Sequence, residues 1–365
     1  MISLPKLGLH RPMNGLKMKK LNMDVRRLGL ATLLLAGIGL TATQSQAQVT
    51  PCDRSCLRGM AERVVTSMAA HAPDSLPLAR NYAATENSAP AALGMMVMWR
   101  TATAVKGTYY AIDPVSHQVF IMATIAEGPN DTLVFGRIKE EGRKLTEIEL
   151  YENRSRGQGG FQFGPDGPGA LPTAWTVALR PEQRASRAAL LQDGASIFDT
   201  RVASPPTAPA CVIMENGKVV AENPDVLKKI GPPGARAPRP RNADGSVSVP
   251  CGAPPQRPTD SRARTDLVDE EQGVVVSFAS VPGVTEPYLA TTPTESAFVP
   301  TAMLQPYADM LKEQQASGLN TSPALRTMPA TGMTAQVNRI YDGKLQGMQL
   351  LVNVGAPEAQ SPWVK

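Results

Sequence analysis

The stretch RIKEEGRKLTEIEL occupies residues 137–150, and RIYDGKLQGMQL occupies residues 339–350. Each reads as strand, tight turn and strand, with apolar residues alternating on both sides of a Gly-containing turn. The second turn is two residues shorter. The same unit written twice, about two hundred residues apart, is the mark of an internal repeat.

Three further features recur in the same order. Glu86-Asn87-Ser88 lies 34 residues after Cys52, and Glu215-Asn216-Gly217 lies 33 residues after Glu182. The run DPVSHQVFIMAT from Asp113 aligns without a gap on DEEQGVVVSFAS from Asp269. Each copy also opens on a helical segment. In 53–70 the residues Leu57, Met60, Val64, Val65 and Met68 recur at helical spacing. RPEQRASRAALLQDGASIFDTRV reads as the second helix, beginning after Arg180 with Pro181 at an early, tolerated position. Between helix and closing strands, the first copy offers alternating runs bounded by Gly, Pro, Asn or Asp: GMMVMWRTAT, GTYYAID, QVFIMATIAE, DTLVFGRIKE and RKLTEIELYEN. These read as an antiparallel sheet.

The expected organisation follows. Residues 1–47 read as a secretory signal: Lys17, Lys19, Lys20, Arg26 and Arg27 precede an apolar run at 28–40, then Ser45-Gln46-Ala47 offers a cleavage site. About 13 apolar residues are too few for a hydrocarbon core that needs roughly 20, so no stable membrane insertion is expected after cleavage. The first domain covers 48–155, a Gly- and Pro-rich linker 156–180, and a diverged second domain 181–365, with insertions at 218–262 and 285–333. Within the second insertion, PTAMLQPYADMLKEQQ reads as a short helix. The chain is expected in the periplasm or outside the cell.

Removing 1–47 takes away seven of the 37 basic and one of the 32 acidic side chains, which leaves a net charge of about −1. A basic nucleic-acid footprint is therefore not expected. Four cysteines remain in an oxidising compartment. The favoured pair is Cys211 with Cys251; Cys52 and Cys56 can pair only if the backbone there is not helical. Cys-x₃-Cys followed by two isolated cysteines matches no zinc spacing, and only His71 and His117 remain as histidines, so neither metal nor cofactor is expected.

The helix ending in HAPDSLPL, the TEN triplet, the strand meander and the closing GRKLTEIE strand resemble the nuclear transport factor 2-like superfamily, which includes SnoaL-like cyclases and ketosteroid isomerase. Residues 52–153 carry the resemblance, and 181–365 carry it more loosely through MENG, VDEEQGVVV and DGKLQGMQL. It implies an α+β fold of two tandem, cone-shaped, curved antiparallel sheets, each wrapped around its N-terminal helix. Such a cone often binds an apolar or aromatic small organic molecule, and a homo-oligomer through the open sheet face is implied as well.

The expected chemistry is metal-free acid/base work, of lyase, isomerase or ether-cleaving type, on an aromatic or polyketide-like molecule. The alternative is a non-catalytic ligand-binding or dimerisation module. Glu86 and Glu215 occupy equivalent positions and are candidate bases, since burial raises a carboxyl toward a useful pKa; capping a turn is their structural alternative. His71 either caps the first helix or serves as a pocket base. Trp99, Tyr109 and Tyr110 are candidates for stacking or donating to a developing oxyanion, and only one of the two tyrosines can share a face with Trp99. Asn87, Asn216, Arg262 and Arg264 are candidate substrate contacts. Glu147 and Glu149 share one sheet face, and their counterparts Gly347 and Gln349 lack carboxylates.

Overall fold

The repeated strand pair closes two sheets of the same strand order. In a computed structural model of the chain, the described residues are 51–154, 173–219 without 197 and 200, 262–286, 297–301 and 328–363, with single positions at 171 and between 304 and 316. All lie in one compact unit, Val49–Lys365. The expected signal segment, residues 156–170 of the expected linker at 156–180, Cys251 and most of both insertions lie outside the described residues. Among the described residues, no helix is long and apolar enough to cross a membrane.

The first half runs α1 (Arg54–Ala69), β1 (Leu78–Glu86), β2 (Ala89–Pro90), α2 (Val97–Thr101), β3 (Ala104–Asp113), β4 (Gln118–Glu127), β5 (Asn130–Glu141) and β6 (Lys144–Arg154). The second runs α3 (Thr173–Thr176), α4 (Arg187–Ser196), β7 (Thr207–Glu215), β8 (Lys218–Val219), β9 (Arg262–Asp269), β10 (Val274–Glu286), β11 (Ala297–Pro300), β12 (Met328–Tyr341) and β13 (Lys344–Gly355). The first sheet has the order β2-β1-β6-β5-β4-β3. The second matches it strand for strand, β8-β7-β13-β12-β10-β9, with β11 added on β10. The fold is α+β.

Several elements differ from the sequence reading. The sheets are mixed, because β1 pairs parallel with β6 and β7 parallel with β13. A parallel pair needs a long crossover, and the intervening strands of each half supply it. GMMVMWRTAT is not a strand: it forms a 3-10 turn and α2, whose first amides donate to Glu86. The strand sits earlier, in LARNYAATE, where Pro and polar residues blur the alternation. The second helix starts at Arg187 because Ser186 Oγ accepts from Ala189 N (3.3 Å) as an N-cap; residues Pro181–Gln183 make a separate 3-10 turn. The second insertion is narrower than expected, since β10 and β12 stay paired out to Thr285 and Met328. Its predicted helix is helical at Leu304, Gln305, Ala308, Asp309 and Lys312, and Ala316 just beyond it is helical too.

α1 forms where its spacing predicts. Asp53 caps it by accepting from Cys56 N (2.9 Å). Cys52 precedes that cap on extended chain and Cys56 sits in the first turn, so their Cα atoms come within 5.2 Å and a disulfide closes. Cys211 is also disulfide-bonded.

Three apolar clusters hold the unit together. One lies between α1, α2 and the first sheet, including Leu57, Val64, Met96, Met98, Ile121 and Ile148. A second lies under α4, with Leu190, Val275 and Ile340. The third joins the two sheets: Phe120, Met122, Phe135 and Tyr151 meet Phe278, Met333, Val337 and Leu351, with Tyr151 stacked on Phe278 at 5.7 Å. The chain therefore stacks as helix, sheet, sheet, helix. Strand β4 is buried on both faces, and QVFIMATIA is accordingly apolar except for Gln118 and Thr124.

Candidate functional site

The end of β1 is pinned by a turn that only the fold explains. Asn87 and Ser88 have φ of 51° and 67°, and Asn87 N donates to Leu150 O (2.7 Å) while its Oδ1 accepts from Glu152 N (2.9 Å). Because Glu86 pairs with Leu150 in parallel register, Glu86 and Glu152 lie on the same face of the sheet. Glu86 accepts from Val97 N (3.0 Å) and Met98 N (3.2 Å). Glu152 is only 3 % exposed. Its Oε2 accepts from Arg154 Nη2 (2.8 Å), and its Oε1 has no hydrogen-bond partner. Burial, reinforced by the neighbouring Glu86, pushes the Glu152 carboxyl up to about 9.

Arg154 connects this pair to the surface. Its Nε donates to Glu127 Oε2 at 2.8 Å. Glu127 also accepts from the hydroxyls of Thr101 and Thr132. Burial alone would raise the Glu127 carboxyl, but these donors outweigh it and hold it below the ordinary range. Thr101, Glu127, Asn130 and Arg154 line an open depression of about 410 Å³. Chemically, the Glu152 carboxyl, kept protonated by burial and the neighbouring Glu86, sits behind an arginine that faces solvent, an arrangement able to hold an anion or move a proton.

The other predicted residues are spread out. His71 is exposed at the end of α1 in a left-handed conformation (φ 53°), and its Nδ1 donates to Trp99 O (2.8 Å). Trp99 is buried on α2 and donates to Ser67 Oγ (3.0 Å). Tyr110 packs with it beneath the Arg58 guanidinium (5.6 Å), while Tyr109 points the opposite way, into the seam between the sheets. Asn216 repeats Asn87: its φ is 48°, its N donates to Leu350 O (2.7 Å), and its Oδ1 accepts from Val352 N (2.9 Å). Both asparagines spend their side chains stitching the first strand to the last. Glu215 pairs with Leu350 just as Glu86 pairs with Leu150.

Arg262 is exposed and donates to Gln360. Arg264 pairs with Asp266 and crosses the seam to Glu149. Glu149 is fully buried there, also accepting from Arg137 Nε (2.9 Å) and Tyr151 Oη (2.7 Å). The face shared by Glu147 and Glu149 thus meets the other half of the chain.

Sequence reading passed over the residues that tie the halves together. Arg54, first in α1, donates to Asp269 Oδ1 (3.0 Å) and Oδ2 (2.7 Å). Arg187, first in α4, donates to Asp113 Oδ1 (2.8 Å) and Oδ2 (2.7 Å). Asp269 accepts from Ile112 N (2.8 Å), and Asp113 from Val268 N (3.1 Å). Each half does to the other what is done to it, the signature of an isologous contact, here within one chain. The gapless alignment of Asp113 on Asp269 was the signal that could have found it. Glu152 and Arg154 carried no signal, because alternation places them on a strand but not beside Glu86. Against known proteins, the chain matches no family model, no curated protein and no solved structure.

Proposed function

We propose that the protein is an exported binding or interaction module of nuclear transport factor 2-like type, two cups fused through their sheets. The observation that carries this reading is the filling of the first cup. Met60, Met68, Met96, Met98 and Trp99 all lie buried in the space between α1, α2 and the sheet, where a substrate would have to enter. What such a module offers to ligands is its rim and its surface. The basic presequence and the Cys52–Cys56 disulfide support export to an oxidising compartment.

A second reading, metal-free acid/base catalysis on a small organic molecule, is favoured by one feature: the Glu86–Glu152 pair behind the depression at Arg154. In it Glu152 would donate a proton and Glu86 accept one, with Arg154 holding a carboxylate or phenolate.

One experiment separates the two. The purified mature protein is incubated with aromatic and polyketide-like extracts, and the compounds are followed by mass spectrometry. The module reading expects compounds to be retained or ignored, with none consumed. A compound consumed by the wild type and spared by Glu86→Gln and Glu152→Gln transfers the assignment to the enzyme.

A further inference from the structure

The two halves treat their buried arginines differently. In the first, Arg137 is 2 % exposed and is neutralised by Glu147 (2.7 Å) and Glu149 (2.9 Å), with Gln118 Oε1 accepting at 2.8 Å. In the second, the repeat aligns Gly347 and Gln349 with those glutamates. Arg339 is nonetheless just as deep, at 1 %. Its Nη2 donates to Val177 O (2.7 Å), while Nε and Nη1 have no hydrogen-bond partner. Among the described residues no carboxylate lies within ion-pair distance of it.

Two more donors without partners stand beside it. Trp175 is 1 % exposed, and its Nε1 is unpaired. That nitrogen lies over Gly347, where a Cβ would come within 2.6 Å of it, and Gly347 pairs directly with Arg339 across β12 and β13. The Tyr109 hydroxyl is buried next to the Arg339 guanidinium, close enough to interact with it, yet neither its Oη nor Arg339 Nε or Nη1 completes a hydrogen bond of good geometry. The Tyr109 and Trp175 rings meet edge to face at 5.9 Å. Buried donors are ordinarily satisfied, and a buried charge without a counter-charge is strongly disfavoured.

We propose that Arg339 Nε and Nη1, Trp175 Nε1 and Tyr109 Oη form a binding site for a small monovalent anion of halide type, sealed between the two sheets. By register Arg339 stands where Lys139 stands in the first copy, and Gly347 replaces the Glu147 opposite it, so the second copy offers no counter-charge there. Glycine at 347 admitted the indole N–H as a further donor, and an anion from solution completes the set. Four N–H and O–H groups around one anion replace the hydration it gives up.

The test uses the mature chain in sodium chloride against sodium gluconate at equal ionic strength. Chloride is expected to raise the unfolding temperature in a saturable way, and a crystal grown in bromide is expected to show an anomalous peak within hydrogen-bond reach of Arg339 and Trp175. Trp175→Phe, which removes only the N–H, should weaken the half-saturation about tenfold; Arg339→Met should abolish the chloride effect. If stability is blind to anion identity, if the gain never saturates, or if bromide crystals show only water beside Arg339, the assignment fails. Should Arg339→Met not fold, the Trp175→Phe titration and the bromide peak still decide.

Discussion

Asp269 carries one half of the reciprocal contact across the seam. Besides Arg54 and Ile112 N, it accepts from Gln272 N (3.1 Å) and Gln272 Nε2 (2.7 Å), with no exposed surface. Asp269→Asn keeps the shape but leaves Arg54 with only the exposed Glu271 (2.9 Å) as counter-charge. We expect a loss of about 3 kcal/mol in urea unfolding. Two carboxyls set opposite pH limits. Burial alone would raise Asp113, but Arg187, Ser116 and Val268 N outweigh it and hold it low. Its contribution is present above the unfolded value near 3.9 and is lost as pH falls through the lower folded value. Glu152, raised by burial and Glu86, keeps a proton in the folded state that the unfolded chain releases above about 4.5. Its contribution is therefore lost as pH rises toward 9. Glu152→Gln should stabilise the protein at pH 8 by at least ~1.4 kcal/mol, one pKa unit's worth, and by little at pH 4.5. Paired denaturation curves at the two values check the sign.

Helices α1 and α4 hold equivalent places on their sheets yet tolerate change differently. Gly59 in α1 has nothing within 4 Å of where a Cβ would sit. Gly59→Ala should stabilise by about 0.5–1 kcal/mol through helix propensity alone. Gly194 in α4 presses on the second sheet, where a Cβ would lie 2.7 Å from Thr265 and Val275 methyls. Gly194→Ala should destabilise by about 1–3 kcal/mol despite the same propensity gain. Thermal unfolding of both variants reads the contrast. The two glycines are indistinguishable as letters in helical runs. α1 itself was legible because its apolar spacing is regular and Asp53 announces its start. β1 and α2 were not: LARNYAATE has no clean alternation, and α2 exists because Glu86, eleven residues upstream, caps its amides.

At the scale of the molecule, each sheet is covered on its second face by the other. A fragment ending at residue 154 would expose Phe120, Met122, Phe135 and Tyr151, all buried in the shared cluster. We expect it to aggregate or self-associate when expressed alone, as judged by sedimentation, whereas the mature chain unfolds in one transition by fluorescence and far-ultraviolet circular dichroism alike. Two separate transitions would mean that the seam contributes little. The same covering bears on the implied homo-oligomer: the open sheet face that would serve a partner copy is already spent inside one chain.

The amino-acid sequence alone determined the repeat, the α+β class, the first helix and most central strands. These are local properties, written in hydrophobic period and turn residues a few positions apart. What the polar residues of each half do was decided by tertiary structure. Asn87 and Asn216 stitch strands, Arg264 reaches Glu149 across the seam, and Glu152 owes its proton to burial, reinforced by a neighbour sixty-six positions away in the chain. Such roles depend on distances between elements far apart in sequence, which no local period encodes.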